Sequence, residues 1–414
     1  MQPLRVALLS YRSEPHCGGQ GVYVRRLSRE LAALGHRVEV FSGPPYPQLD
    51  AGVGLTEVPS LDLYRQPDPF RVPHPREFHS GVDVLEFAMM CTAAFPEPLT
   101  FSLRAARALR HRLADFDVVH DNQCLGYGML RIAHDLPMVA TIHHPITVDR
   151  RLDLAAAPLR RQVPVRRWYG FLRMQKRVAR RMEHVITVSD NSRHDLVRDF
   201  GLRPQDLRVI PVGVDGEVFR PHEAPRVEGR IVAMASADVP LKGVRTLLEA
   251  VAKLRTERDV HVVIVGRPKP GGPTEKLLDD LDLHDAVRFV KGISDAELAA
   301  LLASAQVACV PSLYEGFSFP AIEALACATP LVATRAGALP EVVGPDGECA
   351  LLVDPGDAGQ LAGAIARLLD DPPLRDRLGA AGRRRVLDRY SWRAIAEATA
   401  QCYADAIARR AAAC

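Results

Sequence analysis

Short β-branched runs alternate with amphipathic helical stretches along the whole chain, and that rhythm limits the fold more than any other feature. RVALLS (Arg5–Ser10) reads as a buried strand, and a glycine-rich loop, CGGQG (Cys17–Gly21), follows it. VYVRRLSRELAALG then places Val24, Leu27, Leu31 and Leu34 on one helical face, with Gly35 as its C-cap. HRVEVFS returns as a strand. Strand, glycine loop, helix and strand make a βαβ unit whose glycines stand where a phosphate loop needs them.

The rhythm continues through DVVH (Asp117–His120), MVATIH (Met138–His143), HVITVS (His184–Ser189) and LRVIPVGV (Leu207–Val214). It then restarts. GRIVAMAS, VHVVIVG, AVRFVKG, VACVPS and TPLVATR read as strands. VRTLLEAVAKL, SDAELAALLASA and PAIEALAC read as helices between them, and a helical run closes the chain. A length of 414 residues accommodates two such domains. The stretch Asp215–Glu228, rich in Gly, Pro and charge, reads as the linker. The expected division is 1–215, with the tail 393–414 packing back on it, and 216–392. The expected class is α/β, two facing Rossmann-like doubly wound domains with a central cleft, where a ligand would sit. Residues 44–98, proline-rich with many aromatics and histidines, read as an irregular segment used for acceptor choice.

Composition excludes several classes. Apolar residues are 47% and charged residues 25%, an ordinary globular profile. No apolar run is long enough for a membrane helix, and Val6–Leu9 is too short for a signal peptide. Eight scattered cysteines without a CxxC pair read as reduced thiols, so a cytoplasmic location is expected. A formal charge of +3 does not imply nucleic acid. The basic residues are mostly arginine, so an isolated lysine in a motif draws notice. The stretch Arg150–Arg181 carries eleven basic residues against one acid, Asp153, with Trp168, Tyr169, Phe171 and Leu172 interleaved. Two readings stand: peripheral contact with the inner membrane face or an anionic acceptor, or a helix that packs its apolar side and solvates its arginines.

The segment PSLYEGFSFPAIEALACATPLVATRAGALPEVV (Pro311–Val343) carries the chemistry. A strand ends near Pro311, a loop carries Glu315, and a helix begins near Pro320. The N–H groups of Gly316, Phe317, Ser318 and Phe319 then favour an anion such as a diphosphate. Glu323, about one turn into the helix, can accept from two vicinal hydroxyls, as on a ribose. Lys242, in ASADVPLKGV, can neutralise charge on a departing diphosphate. His143 and His120 both end strands; His120 reads as structural. No His/Cys cluster has zinc spacing, and no D-x-D ends a strand in the first half, so no metal is expected.

EGFSFPAIE resembles the E-x7-E signature of retaining glycosyltransferases of family 4, which have the GT-B fold. The opening strand and GG loop, TIHH, VIPVGVD, LKG, EGFSFPAIEALA and ATRAGALPEVV fall in that family's order, over nearly the whole chain. The resemblance implies that Glu315 lies near the donor sugar, Glu323 holds the ribose and the Gly316–Phe319 amides meet the phosphates. It implies that Gly18 and Gly19 let the backbone approach those phosphates, and that His143 contacts the transferring sugar. Ile293 matches positions flanking the nucleobase. The family carries an arginine upstream of its lysine. Here Ser236 and Ala237 occupy that stretch, and either Arg267 supplies the charge or it is a surface arginine.

The implied activity is retaining, metal-independent transfer of a hexose-type sugar from a nucleotide-diphosphate donor to a hydroxyl on a lipid, glycan or small molecule. The donor is a co-substrate, and no cofactor is expected. Glu315, His143 and Lys242 form the expected catalytic set. Two alternatives share the motifs: a non-catalytic nucleotide-sugar-binding subunit, and another GT-B enzyme such as an epimerase or a phosphorylase. A nicotinamide dehydrogenase is disfavoured, because CGGQG is not G-x-G-x-x-G and no acid ends HRVEVFS.

Overall fold

A computed structural model describes residues 2–13, 19–65, 67–222, 224–235 and 237–413. The chain divides into two compact units. The first comprises Met1–Val188, Ser192–Ile210 and Arg393–Cys414; the second comprises Ser189–Asn191 and Pro211–Trp392.

Among the described residues the first unit holds seven strands: β1 (Arg5–Ser10), β2 (Arg37–Ser42), β3 (Gly54–Glu57), β4 (Val118–Asn122), β5 (Met138–Ile142), β6 (Val185–Thr187) and β7 (Leu207–Val209). They form one parallel sheet in the order β3-β2-β1-β4-β5-β6-β7. Its helices are α1 (Gly19–Ala33), α2 (Gly81–Cys91), α3 (Glu97–Leu109), α4 (Tyr127–Asp135), α5 (Thr147–Ala156), α6 (Leu159–Trp168) and α7 (Leu172–Ala179), with α8 (Asp190–Asp195) after β6. Helices on both faces bury the central strands completely, which is why Val6–Leu9 is a continuous apolar run and not an alternating one.

The second unit holds β8 (Val227–Met234), β9 (His261–Val265), β10 (Val287–Val290), β11 (Ala305–Val310), β12 (Leu331–Thr334) and β13 (Ala350–Val353). They too are parallel, in the order β10-β9-β8-β11-β12-β13, the doubly wound Rossmann arrangement. Between and after them run α9 (Val244–Leu254), α10 (Pro273–Asp280), α11 (Asp295–Ala303), α12 (Phe319–Ala326), α13 (Leu339–Val343), α14 (Ala358–Asp370) and α15 (Pro372–Arg389), and the closing helix α16 (Trp392–Ala413) belongs from Arg393 on to the first unit. In each sheet the strand order reverses beside the first strand: between β1 and β4, and between β8 and β11. Crevices at such points are where open α/β sheets bind ligands.

The structure corrects one expectation. Residues 44–98 are not irregular throughout, because they contain β3, α2 and the start of α3. Helix α2 is apolar on most of its surface, which hides the helical period. Its start was nonetheless encoded, since Ser80 and Asp83 form a capping box. The basic stretch 150–181 spans parts of α5, α6 and α7 and behaves in two ways. Leu172, Met174, Val178 and Ala179 of α7 are buried, whereas Leu159 and Val163 of α6 are exposed among its arginines. Among the described residues no helix is long and apolar enough to cross a membrane.

Candidate active site

In the second unit, two loops flank the reversal of strand order. One follows β8 and carries Lys242; the other follows β11 and carries Glu315. A backbone bond ties them, Leu313 N–H donating to the Leu241 carbonyl at 2.8 Å. Gly243 lets them close. Its φ is +64°, and a Cβ there would lie 1.9 Å from the Pro311 carbonyl oxygen. The result is a short ion pair, with Lys242 Nζ 2.8 Å from Glu315 Oε1. Ser312 Oγ donates to the same carboxylate oxygen at 2.7 Å. Among the described residues nothing donates to Glu315 Oε2. An ammonium has three donors, so Lys242 can hold Glu315 and an incoming anion together.

The Glu315 backbone is held from behind by the AGAL segment. Ala338 N–H donates to the Glu315 carbonyl at 2.9 Å. Gly337, with φ +55°, has no Cβ because one would lie 2.1 Å from that same oxygen. Beyond Glu315, Phe317 and Phe319 turn their rings onto Tyr390 and Trp392, at centroid distances of 5.3 and 6.4 Å. Their contribution to a site is therefore through backbone. Ser318 caps α12 through its hydroxyl and adopts φ 135°, a strained region for a non-glycine residue. Among the described residues the N–H groups of Phe317 and Ser318 have no protein acceptor, the arrangement a bound anion satisfies. Gly316 contributes its carbonyl to Ser189 Oγ at 2.7 Å. Glu323 lies half-buried on α12, five residues past the cap.

Arg267 and Ile293 follow β9 and β10, at the same ends of the sheet. Arg267 is exposed and makes no hydrogen bond or ion pair among the described residues. Its neighbour Gly266 packs against the end of β8, where a Cβ would lie 2.1 Å from the Ala235 carbonyl oxygen. Arg267 thus rises beside the start of the Lys242 loop. In that loop Ala237 is buried, with its carbonyl bonded by Thr274 Oγ1 at 2.9 Å. Ile293 is half-buried in the loop before α11. Gly18 and Ser236 lie outside the described residues.

The first unit places His143 just beyond β5 and Gly19 at the exposed start of α1. The His143 ring is clamped. Its Nε2 is 2.8 Å from Asn122 Oδ1, and the edge of Tyr23 of α1 meets it at a centroid distance of 4.8 Å. Gln123 grips the backbone on either side, accepting from His143 N at 2.8 Å and donating to the His144 carbonyl at 3.0 Å. Gln123 and Leu125 both have positive φ, 57° and 51°. Asp121 holds this strained turn by accepting from Cys124 N and Leu125 N at 3.1 and 2.8 Å. Burial, reinforced by His144 and His120, pushes the His143 pKa down to about 3, so the ring is neutral at pH 7. With Nε2–H donating to Asn122, Nδ1 is left as an acceptor. His120 is wholly buried with both ring nitrogens engaged.

The structure thus brings Lys242, Glu315 and the α12 amides together, with Arg267 and Ile293 at the ends of neighbouring strands. His143 belongs to the other unit. The sequence reading missed Ser312, Gly337, Tyr23, Asn122 and Gln123. For the last two a signal existed: DNQ puts three polar residues at the carboxyl end of a buried strand.

The family model for glycosyltransferase family 4 matches residues 17–218, and that for glycosyl transferases group 1 matches residues 216–385. An MMP alpha-(1→4)-mannosyltransferase from Mycolicibacterium hassiacum is 61% identical over 411 residues, covering 99% of this chain and 100% of that protein. The chain belongs to glycosyltransferase family 4. This glycosyltransferase is also 30% identical to a D-inositol 3-phosphate glycosyltransferase from Acidothermus cellulolyticus, over 99% of the chain and 92% of that protein. Among solved structures, a sucrose-phosphate synthase from Thermosynechococcus elongatus matches it with TM-score 0.76 and 26% identity, over 98% of the chain and 100% of that structure. The fold is GT-B, as the sequence implied.

Proposed function

We propose that this glycosyltransferase moves mannose from a nucleoside-diphosphate donor to a glycan hydroxyl, forming an α-(1→4) linkage with retention at the anomeric carbon. The observation that carries the reading is the 61% identity, end to end, to an MMP alpha-(1→4)-mannosyltransferase. The Lys242–Glu315 pair and the Phe317 and Ser318 amides, which have no acceptor among the described residues, support the donor half of it.

The chemistry follows from charge. The bond from the sugar's anomeric carbon to the diphosphate breaks, leaving positive character on the sugar and negative charge on the phosphate. Lys242 and the α12 amides meet that phosphate charge, and so does Arg267, without a metal ion. Glu315 Oε2 accepts from a sugar hydroxyl, while Oε1 keeps Lys242 aimed. Glu323 accepts from the ribose hydroxyls. His143, neutral, accepts from a sugar hydroxyl at Nδ1. The acceptor oxygen bonds the anomeric carbon from the face the phosphate leaves, and its proton passes to the departing phosphate oxygen. Both carboxylates are then free of nucleophile duty, unlike those of a retaining glycosidase.

The test uses mannose donors carrying UDP, GDP, ADP or TDP, with synthetic α-(1→4)-mannooligosaccharides as acceptors and EDTA present. Product linkage is read by NMR. The reading requires chain extension by an α-(1→4)-linked mannose from one donor. Nucleotide release without transfer, or transfer only with orthophosphate, would overturn it in favour of a binding subunit or a phosphorylase.

A further inference from the structure

The last helix of the chain reaches into the first unit's sheet through polar atoms. Tyr403 of α16 is fully buried, and its hydroxyl lies 2.7 Å from His120 Nδ1. His120 Nε2 lies 2.7 Å from Thr141 Oγ1, which lies 3.2 Å from the Tyr23 hydroxyl. Side chains two apart on a strand share a face, so His120 and Asn122 of β4 point the same way, as do Thr141 and His143 at β5. The bonds therefore make two successive rungs across β4 and β5. The inner rung is His120–Thr141, and the outer is Asn122–His143 at 2.8 Å. Tyr23 touches both, with its hydroxyl on Thr141 and its ring edge on His143.

Apolar contacts already dock α16, since Ile395, Ala396, Ala400 and Ala406 are buried. A buried hydroxyl–imidazole–hydroxyl chain adds direction to that packing. Neutral His120 donates at one nitrogen and accepts at the other, so the chain fixes which partner each hydroxyl faces.

We propose that Tyr403 is a positioning residue for His143, acting through His120, Thr141 and Tyr23 to hold the His143 ring in one orientation. The proposal rests on His143 meeting the donor sugar, as set out above.

The experiment is a double-mutant cycle on mannosyl transfer with Tyr403→Phe and His143→Ala in the full chain. Tyr403→Phe lowers kcat about tenfold with the donor KM unchanged, and in the His143→Ala background it changes kcat less than about twofold. Independent, multiplying losses overturn the proposal, as does an effect on KM alone. If His143→Ala itself leaves kcat unchanged, His143 is not at the sugar, and the positioning claim falls with that reading. Thr141 gives a second route should Tyr403→Phe fail to fold. Thr141→Ser keeps parental kcat and Thr141→Val loses it, whereas equal behaviour of the two contradicts the chain. Nitrogen-15 histidine spectra read the ring without any substrate. The His143 ring resonances are expected to shift or broaden in Tyr403→Phe while the Nε2–H tautomer set by Asn122 persists; identical spectra overturn the proposal.

Discussion

Lys242 and Glu315 are 73 residues apart in sequence, yet the lysine Nζ sits 2.8 Å from the glutamate Oε1. They meet because their loops leave adjacent parallel strands on either side of the reversal in strand order. A carboxylate that aims an ammonium at an anion site should matter most when charge develops there. Glu315→Gln is expected to lower kcat by about 10²–10³-fold, with nucleoside-diphosphate affinity changed less than about threefold. Lys242→Ala should weaken that affinity by about tenfold or more, and Lys242→Arg should restore part of it. Steady-state kinetics and calorimetric titration separate the two effects.

Gly337 is expected to tolerate no side chain. Its φ of +55° disfavours alanine, and the Cβ would lie 2.1 Å from the Glu315 carbonyl oxygen. Gly337→Ala should cost about 2–4 kcal/mol of stability and lower kcat by shifting Glu315. Gly363 on α14 has open space around it, so Gly363→Ala should be neutral or stabilise by up to about 1 kcal/mol. Denaturant unfolding of both variants checks the contrast.

Arg267 is the candidate replacement for the arginine that the family resemblance implies in the stretch occupied here by Ser236 and Ala237. Arg267→Ala should weaken nucleoside-diphosphate binding about three- to tenfold and steepen nothing in the unfolding curve, because the side chain is exposed. Unchanged binding would leave Arg267 as a surface residue.

His120 sets a pH dependence of known sign. Burial pushes its pKa down to about 3, while an unfolded histidine titrates near 6.5. Between those values the unfolded chain binds the proton and the folded chain refuses it, so stability contributed by neutral His120 is lost as pH falls. His120→Asn should be less stable than the parent at pH 7. Its deficit should shrink by about 1.4 kcal/mol per pH unit below about 6.5. Urea unfolding of both proteins across pH 4–7 gives the difference.

Much of this was legible in the sequence, for reasons that also explain the rest. The central strands of both sheets are buried on both faces, so β-branched runs such as VHVVIVG announce them. Helix α2 hid because its apolar residues do not keep to one face. Strand β13 hid because ALLV is only four residues long and shows no period of its own. In the site, Glu315, Glu323 and Lys242 sit in local motifs and could be read directly. The clamp on His143 could not, because its members come from α1, β4 and the turn beyond. The His120–Tyr403 bond spans 283 residues, and no periodicity in either segment announces the other.

The central claim is that the loops after β8 and β11, with α12, hold a nucleoside diphosphate. Thermal unfolding with UDP, GDP, ADP and TDP, without added metal, tests it most directly. At about 100 times its dissociation constant a bound nucleotide adds roughly 2.7 kcal/mol. The account predicts one clear winner, with its stabilisation lost in Glu323→Ala and kept in His143→Ala. No stabilisation by any of the four, or a shift that survives Glu323→Ala unchanged, would contradict it.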